Sequence, residues 1–191
     1  MLFVDNQNTG PFFNLALEEY FQKRTDLHDD ILILWRNEPT IVVGRHQDTA
    51  NEIHEEYVKE NHIQVVRRNS GGGAVYHDLG NLNFSVIQSA DRTGGFEDFA
   101  APVIRCLRGL GVEAEFNGRN DILVEGRKFS GNAQYIHRGR ILHHGTILFS
   151  SDLQVLTQAL NVSHRKIQSK GIPSVRSRVT NLAPYLQGMT I

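Results

Sequence analysis

The sequence predicts an α+β domain in which helices pack on the faces of a mixed, largely antiparallel sheet. Three observations lead there. Segments rich in β-branched or alternating apolar residues outnumber those with helical spacing, and only four stretches carry clear helix periodicity. The chain has 191 residues, with 40% hydrophobic and 21% charged side chains, enough to bury a core as one domain.

Taken in chain order, a helix is predicted over Asn14–Arg24 with Asn14 as N-cap, followed by strands over Ile31–Trp35 and Thr40–Gly44. A second helix spans Glu52–Asn61 behind the capping candidate Asp48, and strands follow at Gln64–Arg68, Ala74–Asp78 and Asn83–Gln88. The third helix covers Phe96–Leu110. Its Phe99, Val103, Leu107 and Leu110 share an apolar face with Cys106, which reads as a small buried hydrophobe. Strands at Ile122–Glu125 and Ile141–Phe149 and a helix over Leu153–Leu160, capped by Asp152, complete the order. No repeat, low-complexity tract or Pro/Ser-rich linker divides the chain.

Composition narrows the function classes. A formal net charge of -1 supplies no field for gripping nucleic acid, although the basic run Arg165–Arg178 can act locally. One cysteine excludes an internal disulfide framework, and no apolar run reaches about 18 residues. Met1 leads directly into a polar, folded-looking start. The expectation is a cytoplasmic enzyme core with neither nucleic acid nor membrane as partner.

The richest stretch is Arg67–Phe84, RRNSGGGAVYHDLGNLNF. Ser70–Gly73 reads as a tight connection between strands. Glycines there can take positive φ and bring N–H groups close to an anion, and Arg67 and Arg68 are permanently charged planar donors suited to phosphate or carboxylate. The stretch lacks both the Lys-Ser/Thr ending of a P-loop and the GxGxxG spacing of a dinucleotide fold. Composition alone leaves an anion site and a flexible hairpin with surface arginines both open.

The longer string resembles the signature of the lipoate protein ligase A family, within the group that also holds biotin ligases and lipoyl and octanoyl transferases. The resemblance extends along the chain in register. NLALEEY at Asn14–Tyr20, LWRNEPTIVVGRHQ at Leu34–Gln47, GRNDILVEGRKFSGNAQ at Gly118–Gln134, HHGTILF at His143–Phe149 and KGIPSVRSRVTNL at Lys170–Leu182 each match. It implies a biotin/lipoate ligase-like catalytic domain over residues 1–191. The family's C-terminal accessory domain is not included in this span, and some relatives carry it on a separate polypeptide.

The resemblance also implies a two-step reaction. Lipoate's carboxylate attacks the α-phosphate of ATP to give lipoyl-AMP and pyrophosphate, and the mixed anhydride then acylates a lysine ε-amine on a carrier. The carriers implied are lipoyl domains of 2-oxoacid dehydrogenase E2 subunits and the glycine-cleavage H protein. Carboxylate and triphosphate repel one another, so the site must neutralise and orient them with cations, backbone N–H groups and Mg²⁺.

Carried over residue by residue, Lys128 is the catalytic candidate, contacting carboxyl oxygen and α-phosphate where strand meets turn. Arg68, Ser70, Gly73, Ala74, Val75, Tyr76, Asn81, Asn120 and Asp121 are the nucleotide-site candidates, with Asp121 as the Mg²⁺ ligand. Even with the motif present, Asn120–Asp121 keeps an ordinary turn as its alternative, and Asn81 and Asn83 share that ambiguity. The acyl site draws on Leu17, Trp35, Arg68, Gly73, His77, Lys128 and His144, with Leu15 and Val42 as further apolar candidates that can equally be core. His77, His143 and His144 show no metal-ligand spacing, and His143 and His144 on one strand would point to opposite faces.

Cysteine-dependent transferases of the family carry their nucleophile downstream of the motif lysine, and no cysteine follows Lys128. Adenylation is therefore favoured over thioester transfer. The alternatives are such a transferase, a non-catalytic lipoate or adenylate binder that needs a partner and, more weakly, a biotin ligase. The Lys166–Arg178 loop reads as either a mobile cover or a solvated surface.

Overall fold

The computed structural model describes residues 1–92, 94–161 and 179–191, so the Lys166–Arg178 cover and its basic run lie outside the described residues. A seven-stranded sheet forms the frame. Its spatial order is β1 (Leu2–Asp5), β2 (Ile31–Trp35), β6 (Asn81–Ser89), β10 (Arg140–Leu148), β9 (Arg127–His137), β8 (Asp121–Val124) and β7 (Ala114–Phe116). Every neighbouring pair is antiparallel except β1 and β2. A second sheet places β3 (Thr40–Val43) between β4 (Gln64–Arg67), parallel to it, and β5 (Val75–His77), antiparallel.

Helices cover both faces of the large sheet. On one face lies α4 (Phe96–Gly109), whose Ala100, Ile104 and Leu107 pack with Ile122, Val124 and Phe129. On the other, α1 (Pro11–Lys23) rests Leu15, Leu17 and Phe21 against Ile31, Ile33, Trp35 and Leu142. The small sheet has its own core, in which Ile41, Val43 and Tyr76 meet α3 (Glu55–Glu60) and α5 (Leu153–Ala159). Among the described residues no helix is long and apolar enough to cross a membrane.

The predicted α+β class and every predicted element are present, with shifted ends. Three strands, β1, β7 and β9, were not predicted. Strand β1 is four residues and β7 three, too short for periodicity. Strand β9, RKFSGNAQYIH, mixes charge, amide and glycine, and owes its extension to pairing on both sides with β8 and β10. Two-residue turns with positive φ at both positions bracket it, Glu125–Gly126 and Arg138–Gly139.

The predicted Glu52–Asn61 helix is broken at Ile53. Asp48 caps the short α2 (Thr49–Glu52), and His54 Nδ1 caps α3. Between them Ile53 is extended and bridges Leu160, burying its side chain in the small-sheet core.

Two expectations are corrected. Asn14 is not an N-cap: α1 begins after Gly10 with Pro11 in its first turn, and Asn14 lies inside, buried. Its amide donates to Asn8 O, Arg36 O and Asn37 Oδ1, so it ties the helix to the β2–β3 connection. Cys106 is exposed rather than buried. The stripe that meets the sheet centres on Ala100, Ile104 and Leu107, and Cys106 lies roughly 120° around the helix from Ala100. Phe99, off-centre too, is long enough to reach the core.

Candidate active site

The glycine turn after β4 wraps around Arg68. This side chain is 8% exposed and every nitrogen of its guanidinium is engaged. Nη1 donates to Val42 O at 2.9 Å, Nη2 to Gly71 O and Gly73 O at 2.8 Å each, and Nε to Ser70 Oγ at 3.0 Å. Burial lowers the Arg68 pKa to about 10, with Glu18 and Glu52 opposing the shift, so it remains a cation at neutral pH. Positive φ was expected across Gly71–Gly73, but only Gly72 has it, at 97°; a Cβ there would also stand 2.8 Å from Arg68 Nη2. Arg67 is committed elsewhere, to Gly44 O, Gln47 O and Thr49 Oγ1.

With the Gly71 and Gly73 carbonyls drawn in, no acceptor among the described residues takes the amides of Gly71, Gly72 or Gly73. Such a run of N–H groups is a concavity for an anion. The next amide, Ala74 N, donates to Glu52 Oε2 at 3.0 Å. Val75 and Tyr76 continue into β5, pairing with Val42 and Ile41, and the Tyr76 ring is buried in the small-sheet core.

Lys128 stands two residues after the Glu125–Gly126 turn. Between the pairs Ile122–Ser130 and Leu123–Lys128, strand β9 carries one residue more than β8. In an unbroken register Lys128 would share a face with Ser130. The bulge turns it to the face of Asp121 and Gly131 instead. There Nζ lies 2.6 Å from Asp121 Oδ1, with the two side chains 32% and 16% exposed. A Cβ at position 131 would come within 2.8 Å of Nζ, so glycine makes the room.

Asn120 and Asp121 do leave a turn: Asp121 N donates to Asn117 Oδ1, and the Asn120 side chain donates to Asn132 O. Among the described residues no group of three His, Cys, Asp or Glu side chains converges. A Mg²⁺ here would rest on the Asp121 carboxylate and on ligand phosphates, which is a usual donor set for that ion.

The two histidines of β10 part to opposite faces. His143 stacks on Phe99 at 4.3 Å between ring centroids and lies near Phe84, on the α4 side. His144 faces α1, with Nδ1 at 2.9 Å from Glu18 Oε1 and Nε2 at 2.7 Å from Ser70 Oγ. Two residues on, Thr146 shares that face, and its Oγ1 accepts from Gly131 N, beside Lys128. His144 and Thr146 are about 7 Å apart along the strand. The glycine loop and Lys128 therefore stand over one face of the sheet.

The remaining candidates surround this face. Leu17 packs from α1, and Trp35 donates Nε1–H to Ser85 Oγ. His77, ring edge to Trp35, meets Asn37 through Nδ1, and burial pushes its pKa down to about 3, with the positive Arg68 adding to the effect. Asn81 donates to Asn83 Oδ1. His77 Nε2, Asn81 Oδ1 and Asn83 Nδ2 are buried without a partner among the described residues, the type of polar orphan that a ligand satisfies.

Sequence reasoning missed Glu18, buried at 3% exposure, together with Glu52, Asn37 and Asn132. A signal for the first was present: Asn14, Glu18 and Gln22, spaced by four, are the buried face of α1, while Phe12, Phe13 and Tyr20 are exposed.

Residues 10–191 match the family described as lipoyl protein ligase A/B catalytic domain. The lipoate-protein ligase LplJ of Bacillus subtilis is 54% identical over 189 residues, covering 97% of this chain and 57% of the relative. The chain thus spans just over half the length of that curated relative. Among solved structures, the bi-partite lipoate protein ligase of Thermoplasma acidophilum, studied with its E2 lipoyl domain, superposes with a TM-score of 0.86 at 32% identity, covering 98% of this chain and 76% of that one. A lipoate-protein ligase A bound with ATP gives 0.83 at 31% identity, covering 100% and 78%. This chain belongs to the lipoyl protein ligase A/B catalytic domain family.

Proposed function

We propose that this domain activates lipoate with ATP, forming lipoyl-AMP and pyrophosphate, and passes the lipoyl group to the ε-amine of a carrier lysine. The observation that carries the reading is the convergence over one sheet face of outward glycine-loop amides and the Lys128–Asp121 pair. The loop amides and the Arg68 charge beneath them receive phosphate, and Lys128 bridges the attacking carboxylate and the α-phosphate as charge accumulates between them. Asp121 is the residue that would hold Mg²⁺, which when bound would supply charge neutralisation for the phosphates. Asn81 and Asn120 supply further polar contacts to the nucleotide.

Leu17, Trp35, His77 and His144 line the acyl site, where hydrocarbon and dithiolane leave water. The partners are lipoyl domains, in line with the E2 lipoyl domain that accompanies the Thermoplasma ligase, and the glycine-cleavage H protein. The reaction takes place in the cytoplasm. A cysteine-dependent transfer is disfavoured by position: Cys106 lies exposed on α4, across the sheet from Lys128. Lipoate-dependent exchange of pyrophosphate into ATP tests the first half-reaction, and its absence in a protein that binds lipoate would overturn it.

A further inference from the structure

A carboxylate on a surface helix ordinarily faces water, yet Glu18 points into the protein at 3% exposure. Burial of a charge is tolerated only with partners. Glu18 Oε1 accepts from the Ser85 hydroxyl, which in turn accepts from Trp35 Nε1 at 2.8 Å. It also meets His144 Nδ1 at 2.9 Å, while His144 Nε2 meets Ser70 Oγ at 2.7 Å and Ser70 Oγ meets Arg68 Nε at 3.0 Å. The anion on α1 and the cation under the glycine loop are thus joined through two side chains.

The polarity of this chain is set at both ends. A carboxylate only accepts, so His144 carries its proton on Nδ1. A guanidinium only donates, so the Ser70 hydroxyl accepts from Arg68; opposite the Nδ1–H tautomer it sends its own proton to the bare His144 Nε2. The Nδ1–H tautomer of His144, with Ser70 donating inward, satisfies every atom along this path. We infer that Glu18 and His144 are positioning residues for the glycine loop, acting through Ser70 to hold the Arg68 guanidinium where it draws in the loop carbonyls and turns the Gly71–Gly73 amides to an anion.

The geometry of Arg68 gives this its force. The Nη2 that binds Gly71 O and Gly73 O is rigidly coplanar with the Nε that binds Ser70. Rotating Ser70 away from His144 would leave Nε only its longer bond to Gly71 O at 3.3 Å, so the guanidinium plane could tilt about its Nη1 bond to Val42 O and carry Gly71 O with it, while Gly73 O keeps its bond from Gly44 N. Glu52, on Ala74 N, fixes only the far end of the loop.

The inference rests on the nucleotide reading above for its effect on ATP, but not for its effect on the loop. The first test is the ¹⁵N spectrum of the His144 ring in the unaltered chain, expected to show a protonated Nδ1 and a bare Nε2; Ser70→Ala should shift Nε2 and leave Nδ1 in place. The second is Glu18→Gln, which keeps shape and removes charge. It should move the Gly71–Gly73 amide resonances and weaken ATP binding roughly tenfold, as for one lost charge-assisted hydrogen bond. An Nε2–H tautomer, unmoved glycine resonances, or an unchanged ATP affinity would overturn the inference. Should Glu18→Gln not fold, the ring spectrum and Ser70→Ala decide alone. If the unaltered chain binds no ATP, the nucleotide reading fails, while tautomer and amide resonances still judge the relay.

Discussion

Lys128 owes its position to one extra residue in β9 and to the absence of a side chain at Gly131. Lys128→Ala is expected to leave the fold intact and cut lipoate-dependent pyrophosphate exchange by at least about 100-fold, the scale for loss of a preorganised charge partner; near-normal exchange would remove Lys128 from the chemistry. Gly131→Ala is subtler. Its methyl group meets the flexible end of Lys128 rather than backbone, so stability should change little while exchange falls roughly tenfold through misplacement. Equal loss of both would mean that Gly131 serves packing alone.

Two buried histidines make a statement about acid. His77 and His143 each have a pKa pushed down to about 3 by burial, against an ordinary value of 6.5. Below about pH 6.5 the unfolded chain binds protons that the native state refuses, so stability falls as pH drops from there toward 3 and is insensitive to these groups above it. Urea midpoints measured at about pH 7.5, 6 and 4.5 should decline in that order. A flat series would show that neither ring is held neutral.

Among the elements, α5 offers a clean local test. Asp152 accepts from Gln154 N and Val155 N, and Asp152→Ala should destabilise the domain by about 1 kcal/mol without touching the site. This cap was legible in sequence, as was Asp48, because each is an N-cap residue type placed just ahead of a helical stretch. Strands with β-branched residues, such as β2 and β3, were legible for a similarly local reason. What escaped was imposed from outside the segment: β9 is extended because two neighbours pair with it, and α1 buries Asn14, Glu18 and Gln22 because polar groups on the sheet and the β2–β3 connection await them. Cys106 escaped for a related reason, since a helix's apolar face is fixed only once the sheet beneath it is placed.

Across the whole molecule, two sheets with separate cores meet around the glycine loop, which leaves β4 on the small sheet and is held by His144 on the large one. The site's residue types were readable from the motifs, whereas their roles in holding one another were not. The Lys128–Asp121 pair depends on a register shift, and the Glu18–His144–Ser70 relay joins residues up to 126 positions apart. The chain spans 57% of the length of its Bacillus relative. The most direct test is exchange of labelled pyrophosphate into ATP by this chain, with lipoate, octanoate or biotin supplied and Mg²⁺ withheld in a control. Exchange that requires lipoate and Mg²⁺ and vanishes with Lys128→Ala is the predicted result; lipoate binding without any exchange would contradict the assignment of this domain as an adenylating enzyme.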